Sequence, residues 1–138
     1  MPVIKKKCPD CEGESEFWFG DRAFDGRLSW ASSEYCKSCH YSVEADDEGM
    51  LPDNLRDIEL RQKGTWAVIF ENYELNIAKT LKLIRDCLGL TVSDLKNIKN
   101  SLPGPIFPGT RAEAERFLFY FKGTDIDPKI VRFQQGIV

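Results

Sequence analysis

Toward its start the chain alternates as strands do, and further on its apolar positions fall into helical spacing. "ESEFWFG" (14–20) and "RLSWASSEY" (27–35) are rich in strand-forming aromatics and flank Asp25-Gly26, a dipeptide that readily takes the positive backbone angles of a tight turn, so they predict a β-hairpin. Alternation sets Phe17 and Phe19 on one face and Trp18 on the other. One of those faces has little core to meet in so small a hairpin. "YSVEA" (41–45) reads as a third strand, which "DDEGMLPDN" ends.

"DNLRDIELRQKG" (53–64) opens on Asp53 as a cap and closes on Gly64 after basic residues, the punctuation of a short helix or linker turn. "TWAVIFEN" (65–72) is a β-rich apolar run. "ELNIAKTLKLIRDCLGL" (74–90) puts Leu75, Ala78, Leu81 or Lys82, Ile84 or Arg85, and Leu88 at helical spacing, with Gly89 as the stop and Cys87 packing as a small apolar residue. "TVSDLKNIKNSL" (91–102) opens on Thr91 with Asp94 three later, lines one face with Leu95, Ile98 and Leu102, and is closed by Pro103 and Pro105. "PIFPG" is a brief extended piece. "TRAEAERFLFYFKG" (110–123) opens on the capping box Thr110–Glu113 and stops at Gly123, and "PKIVRFQ" (128–134) is the last strand. Phe117, Phe119, Tyr120 and Phe121 cannot share one helix face, so at least one of them reaches an interface.

Composition changes this picture little. The 138 residues amount to one ordinary domain, or to two very small ones sharing a surface, and a unit of half this length usually needs a staple such as a metal. The formal charge of −3 is uneven: residues 1–63 hold nine Lys/Arg against fourteen Asp/Glu, and residues 64–138 hold ten against eight. No run has the make-up of a membrane span, and "MPVIKKKCPD" lacks the apolar core of a signal peptide. A cytoplasmic location is therefore expected, and a reducing cytosol disfavours structural disulfides.

The cysteines then stand out. "CPDC" (8–11) is echoed by "CKSC" (36–39), and two such pairs are what a tetrahedral four-thiolate site needs: each tight turn offers two sulfurs, and the intervening hairpin brings the turns together. Cys8, Cys11, Cys36 and Cys39 are accordingly expected to hold one structural zinc per chain. The competing reading is a redox pair, but such pairs open a helix after a strand, and both of these sit at the base of apparent strands. His40, next to a complete ligand set, is a bystander on this reading. Four thiolates around zinc leave excess negative charge, which Lys5, Lys6, Lys7 and Lys37 are placed to offset. A closed four-cysteine site leaves no position for water or substrate, so the metal is structural. The organisation resembles a zinc ribbon over roughly residues 5–47. It departs from the commonest ribbon in having Glu12 and His40, not glycine, directly after Cys11 and Cys39.

From residue 65 the order is strand, helix, helix, short strand, helix, strand. With "LKLIRDCLGLTVSDLKNIKNSLPGPIFPGTRAEAERFLFYFKG" it resembles the C-terminal globular domain of the bacterial ribosomal stalk protein, the acidic large-subunit protein that recruits translation factors. The resemblance covers about residues 65–134 and rests on the order and spacing of the motifs. It implies a factor-binding surface on the first two helices, carried here by Ala78, Leu81, Lys82, Arg85 and Lys96. The family's second junction glycine is replaced by Thr91 or Val92, its alanine-rich third helix by "FLFYF", and its dimerising N-terminal region is absent; the chain is not expected to be the stalk protein itself. A solvated helix face accounts for Lys82, Arg85 and Lys96 equally well.

The expected class is thus α+β: a zinc-ribbon-like hairpin subdomain (1–50), a linker or short helix (51–64) and a β-α-α-β-α-β stalk-like domain (65–138). No nucleophile motif, phosphate-cradling loop or catalytic histidine constellation stands in the sequence, so no enzymatic activity and no small-molecule substrate are expected. Nucleic acid is disfavoured by the acidity of the ribbon half, although Phe17, Trp18, Phe19, Phe24 and Trp30 offer rings for bases to stack on. A protein partner fits best, with Trp18 and Trp30 as anchors: either a toxin that the chain neutralises as an immunity protein, or a translation factor or the ribosome, for which the chain serves as an adaptor.

Overall fold

The computed structural model describes residues 2–71, 76–102 and 104–133. Asp25 and Gly26 adopt φ of 55° and 78°, and the two-residue turn they make joins β2 (Glu14–Phe24) to β3 (Arg27–Cys36) in continuous antiparallel register from Phe24↔Arg27 to Ser15↔Cys36. β4 (Ser42–Glu48) pairs with β3. On the other side, β1 (Val3–Lys7) pairs with β2, giving a four-stranded sheet in the order β1-β2-β3-β4. The lysine run, expected as counter-charge to the cysteines, lies in a strand. Val3 and Ile4 start the strand opposite Trp18 and Phe17, and lysines are well tolerated on a sheet edge.

One face of this sheet is covered by α1 (Asp53–Lys63). Phe19, Leu51 and Leu55 form its buried centre, with Ile4, Phe17, Trp30 and Ile58 packed around them. Alternation along β2 leaves Trp18 on the opposite face, 42% exposed. The segment 53–63 is a full helix that covers the sheet, and its N-cap is Pro52, which makes no side-chain cap, so Asp53 is its first helical residue and not the cap.

Further along come β5 (Thr65–Phe70), α2 (Ile77–Leu88), α3 (Val92–Ser101), β6 (Ile106–Gly109), α4 (Arg111–Tyr120) and β7 (Pro128–Phe133). A second antiparallel sheet runs β6-β5-β7. The described chain is therefore a mixed α+β protein with seven strands and four helices, more elements than a hairpin subdomain and the expected six-element order contain. α2 starts at Ile77 on the cap Asn76, whose side chain accepts from the Lys79 amide; the expected start at 74, with Leu75, lies outside the described residues, as do Pro103 and Gln134. Thr91–Asp94 and Thr110–Glu113 form capping boxes at α3 and α4. α4 ends at Tyr120, before the expected stop at Gly123, where the Phe121 amide returns to the carbonyl of Phe117.

The core of this second region holds Val68, Phe70, Ile84, Ile98, Phe117 and Phe121 among others, with Phe70 set edge-on to Phe117 and tilted against Phe121. β6 pairs with β5 through a bulge, Val68↔Ile106 and then Trp66↔Gly109. The extra residue falls at Phe107, held at φ 57° with its ring stacked on Phe117 at 5.1 Å.

The aromatic run of α4 divides between two neighbours. Phe117 and Phe121 enter the core, while Phe119 lies against Gly26 of the hairpin turn and Tyr120 donates to the Gly26 carbonyl at 3.4 Å. The interface expected for this run is thus internal, between α4 and the first sheet. Arg56 of α1 adds a bidentate pair with Glu113 of α4, at 2.7 and 2.8 Å. Gly109 leaves the space for that pair, since a side chain there would run into Glu113 Oε1 and stand 2.9 Å from Arg56 Nη2.

Candidate metal centre

β1 ends and β2 begins on either side of the first cysteine pair; β3 ends and β4 begins on either side of the second. The two turns repeat each other bond for bond. In the first, the Cys8 amide donates to the Gly13 carbonyl at 2.7 Å and the Glu12 amide to the Cys8 carbonyl at 3.0 Å. In the second, the Cys36 amide donates to Tyr41 and the His40 amide to Cys36, both at 2.9 Å. Glu12 and His40 sit at φ 64° and 65°, the left-handed conformation that the usual glycine of a ribbon adopts without strain. The turns therefore form without glycine, at a conformational cost.

The four sulfurs converge, all within 4.8 Å of one another. Cys8 Sγ stands 3.7 Å from Cys39 Sγ, and Cys11 Sγ 3.6 Å from Cys36 Sγ. A tetrahedral zinc with bonds of about 2.3 Å requires sulfurs roughly 3.8 Å apart, so the site fits that ion. Cys8 and Cys36 are buried, and Cys11 and Cys39 form the outer half. The Cys36 thiol is drawn down to about 7, chiefly by the backbone amide of Cys39 and in part by that of Ser38. Cys39 is pushed up to about 12: the Tyr41 amide favours its thiolate, but burial and the other three sulfurs outweigh it. A divalent cation at the centre reverses that opposition.

Lys5, Lys6 and Lys7 pair with carboxylates rather than with the sulfurs. Lys5 pairs with Glu14 at 3.4 Å, Lys6 with Glu34 at 3.1 Å and Lys7 with Glu12 at 3.6 Å. Strand register explains the difference, because β1 lies beside β2 and alternation sends its lysines to carboxylates on both faces of the sheet. Glu34 is itself buried and also accepts from Ser15 Oγ at 2.9 Å, so a small polar network separates the cysteines from the apolar patch under α1. Backbone amides reach the sulfurs instead: that of Gly13 donates to Cys11 Sγ at 3.4 Å, beside those of Ser38 and Cys39 on Cys36 and of Tyr41 on Cys39. His40 meets the hydroxyl of Tyr35 at 3.2 Å and is not among the converging groups.

The residues expected to bind a partner fall in separate places. Trp18 is exposed on the outer face of the first sheet, with Tyr35 diagonal to it on β3. Trp30 is half-buried against the patch under α1, which makes it mainly a packing residue. Ala78, Lys82 and Arg85 are exposed along one face of α2, Leu81 is half-buried against the second core, and Lys96 is exposed on α3. Arg85 stands 3.8 Å from Asp86.

Sequence reasoning missed a cleft of about 870 Å³ between the two sheets. Trp66 lines it, with Arg111 and Arg132 over its ring at 4.6 and 4.4 Å. Asp21 accepts from Thr110 Oγ1 at 2.6 Å, and the Glu59 carboxyl of α1 lies beside it. Burial, and then the hydrogen bond and charge of Asp21, push Glu59 up to about 8. The signal available for Glu59 was its place four residues after Leu55, on the apolar stripe of α1.

Compared with family models, curated proteins and solved structures, the chain finds no match. Among the described residues, no helix is long and apolar enough to cross a membrane.

Proposed function

We propose that this chain is a non-enzymatic, zinc-stapled protein-binding protein of the cytoplasm, acting as an immunity protein that neutralises a cognate toxin by direct contact. The observation that carries the reading is the outer side of the first sheet. Trp18 and Tyr35 stand exposed there, and β4 beside them is exposed along its whole length as "SVEADDE". Among the described residues none of its four carboxylates has a cation within 4 Å. Unpaired acids beside exposed rings suit a partner whose functional cleft is basic: the charges steer the approach and the rings anchor it. A closed four-thiolate ion supplies rigidity to that sheet and no chemistry.

The test is co-expression with the neighbouring reading frame, since immunity proteins are usually encoded beside their toxins. The neighbour should arrest growth alone and be tolerated with this chain present. Reversing Glu44 and Asp46, the acids that share the face of Trp18, to Lys, or changing Trp18 to Ala, should abolish protection while the protein stays folded. Protection that survives these changes sinks the reading.

A second reading is a translation-factor adaptor with a stalk-like surface. It is favoured by the exposed row Ala78, Lys82 and Arg85 on α2, beside which Val92, 70% exposed, and Lys96 stand on α3. Changing Lys82 and Arg85 to Glu should then abolish capture of elongation factors, and should leave toxin neutralisation intact if the acidic strand does the blocking.

A further inference from the structure

Where the hairpin turn meets α2 and α4, a second pocket of about 480 Å³ is lined by Arg22, Arg27 and Arg116, with Glu48 as the one acid in its wall. Among the described residues, none of the three guanidinium groups has a carboxylate within 4 Å. Arg22 donates only to the Ser29 hydroxyl, at 3.3 Å. Arg116 Nε is the one buried side-chain nitrogen or oxygen among the described residues that has no hydrogen-bond partner. That nitrogen is closed off from the pocket, and the Arg116 guanidinium lies over the Phe117 ring at 5.9 Å, so what points to a ligand is the convergence of three arginines on one pocket without a carboxylate partner: an anion's oxygens are the acceptors that such a cluster selects.

The remaining wall is apolar. Phe24 is 77% exposed, the most of any large apolar side chain in the described chain after neither core claims it, and Met50 is exposed beside the same pocket. Cys87 completes the floor as a neutral thiol, pushed up to about 11 by burial against the opposing pull of Arg116. Three unpaired cations next to an exposed ring and a thioether call for a ligand that is anionic at one end and flat and apolar at the other.

We propose that this pocket binds a nucleoside phosphate, with Arg22, Arg27 and Arg116 on the phosphate and the base stacked on Phe24. The same group comes from a free mononucleotide or from single-stranded RNA. This site shares only Glu48 with the acidic strand and does not depend on the immunity reading.

The test is titration calorimetry on the zinc-loaded full chain, with inorganic phosphate, adenosine, adenosine monophosphate and a short oligoadenylate as probes. The monophosphate should bind about tenfold more tightly than either phosphate or adenosine alone. Arg27→Gln, at an exposed position that leaves the fold intact, should weaken it by about tenfold. Phe24→Ala should reduce the monophosphate to the affinity of inorganic phosphate, and Arg116→Lys should weaken both because the planar, multi-donor guanidinium is lost. An oligonucleotide that binds no more tightly than the monophosphate assigns the site to free nucleotides; one that binds more than about tenfold more tightly assigns it to RNA. Absence of saturable monophosphate binding, or binding unchanged by Arg27→Gln and Phe24→Ala, overturns the proposal.

Discussion

The apolar patch on the first sheet has three buried residues at its centre, Phe19, Leu51 and Leu55, whereas ten buried residues form the core of the second region, from Val68 to Ile126. The difference follows from what each sheet has to lean on. In the first, only one face is covered, by α1, and β4 is exposed throughout. In the second, α2, α3 and α4 pack with the sheet around shared aromatics. A region with so little apolar burial needs another source of stability, and the four cysteines tie its strand ends together. The two regions also meet: Arg56 with Glu113, Asp21 with Thr110, and Gly26 with Phe119 and Tyr120 join them.

On the proposal that the four cysteines hold zinc, the sharpest way to break the comparison is to remove that ion. Chelation, or Cys36→Ser, should unfold the first sheet and leave α2–α4 helical, because a structural zinc site is worth about 10–16 kcal/mol, as much as a whole domain's stability. Far- and near-ultraviolet circular dichroism with zinc analysis checks this, and a metal-free chain with unchanged spectra would falsify it. Phe117→Ala should act on the other region, lowering its unfolding free energy by about 3–5 kcal/mol in denaturant titration while zinc content stays the same.

Arg56→Met tests the join. It leaves the Glu113 carboxylate, 7% exposed, without its guanidinium, and should cost about 2 kcal/mol. Loss of coincidence between the unfolding of the two regions, followed by aromatic probes in each, is the expected sign. Glu59→Gln should act in the opposite direction. Its carboxyl is raised to about 8, so between about pH 4.5 and 8 the folded protein holds a proton that the unfolded chain has released, and stability falls as pH rises through that window. The Gln variant should flatten that slope and gain about 1–2 kcal/mol above it, after allowance for solvent screening in the cleft. The smallest effect is expected at the metal turns. Glu12→Gly and His40→Gly each relieve a left-handed non-glycine residue and should raise the unfolding free energy of the zinc-loaded chain by up to about 1 kcal/mol, the entropy of the added glycine taking back part of the gain.

Local chemistry was readable from residue order alone. The Asp25-Gly26 turn, the two metal turns, and the caps at Thr91 and Thr110 each depend on a few neighbouring residues whose side chains or backbone angles act on one another directly. Helix and strand identity followed from periodicity for the same reason. Tertiary structure alone decided what lay between distant segments: that "VIKKK" pairs with "ESEFW", that its lysines go to glutamates and not to thiolates, that α1 covers the first sheet, and that Phe119 and Tyr120 turn toward a hairpin some ninety residues earlier. It also brought Glu59 beside Asp21 and, among the described residues, left Arg116 Nε without a hydrogen-bond partner. Those outcomes depend on which surfaces meet when two sheets pack, and a linear pattern carries each surface's polarity but not the identity of the surface it will face.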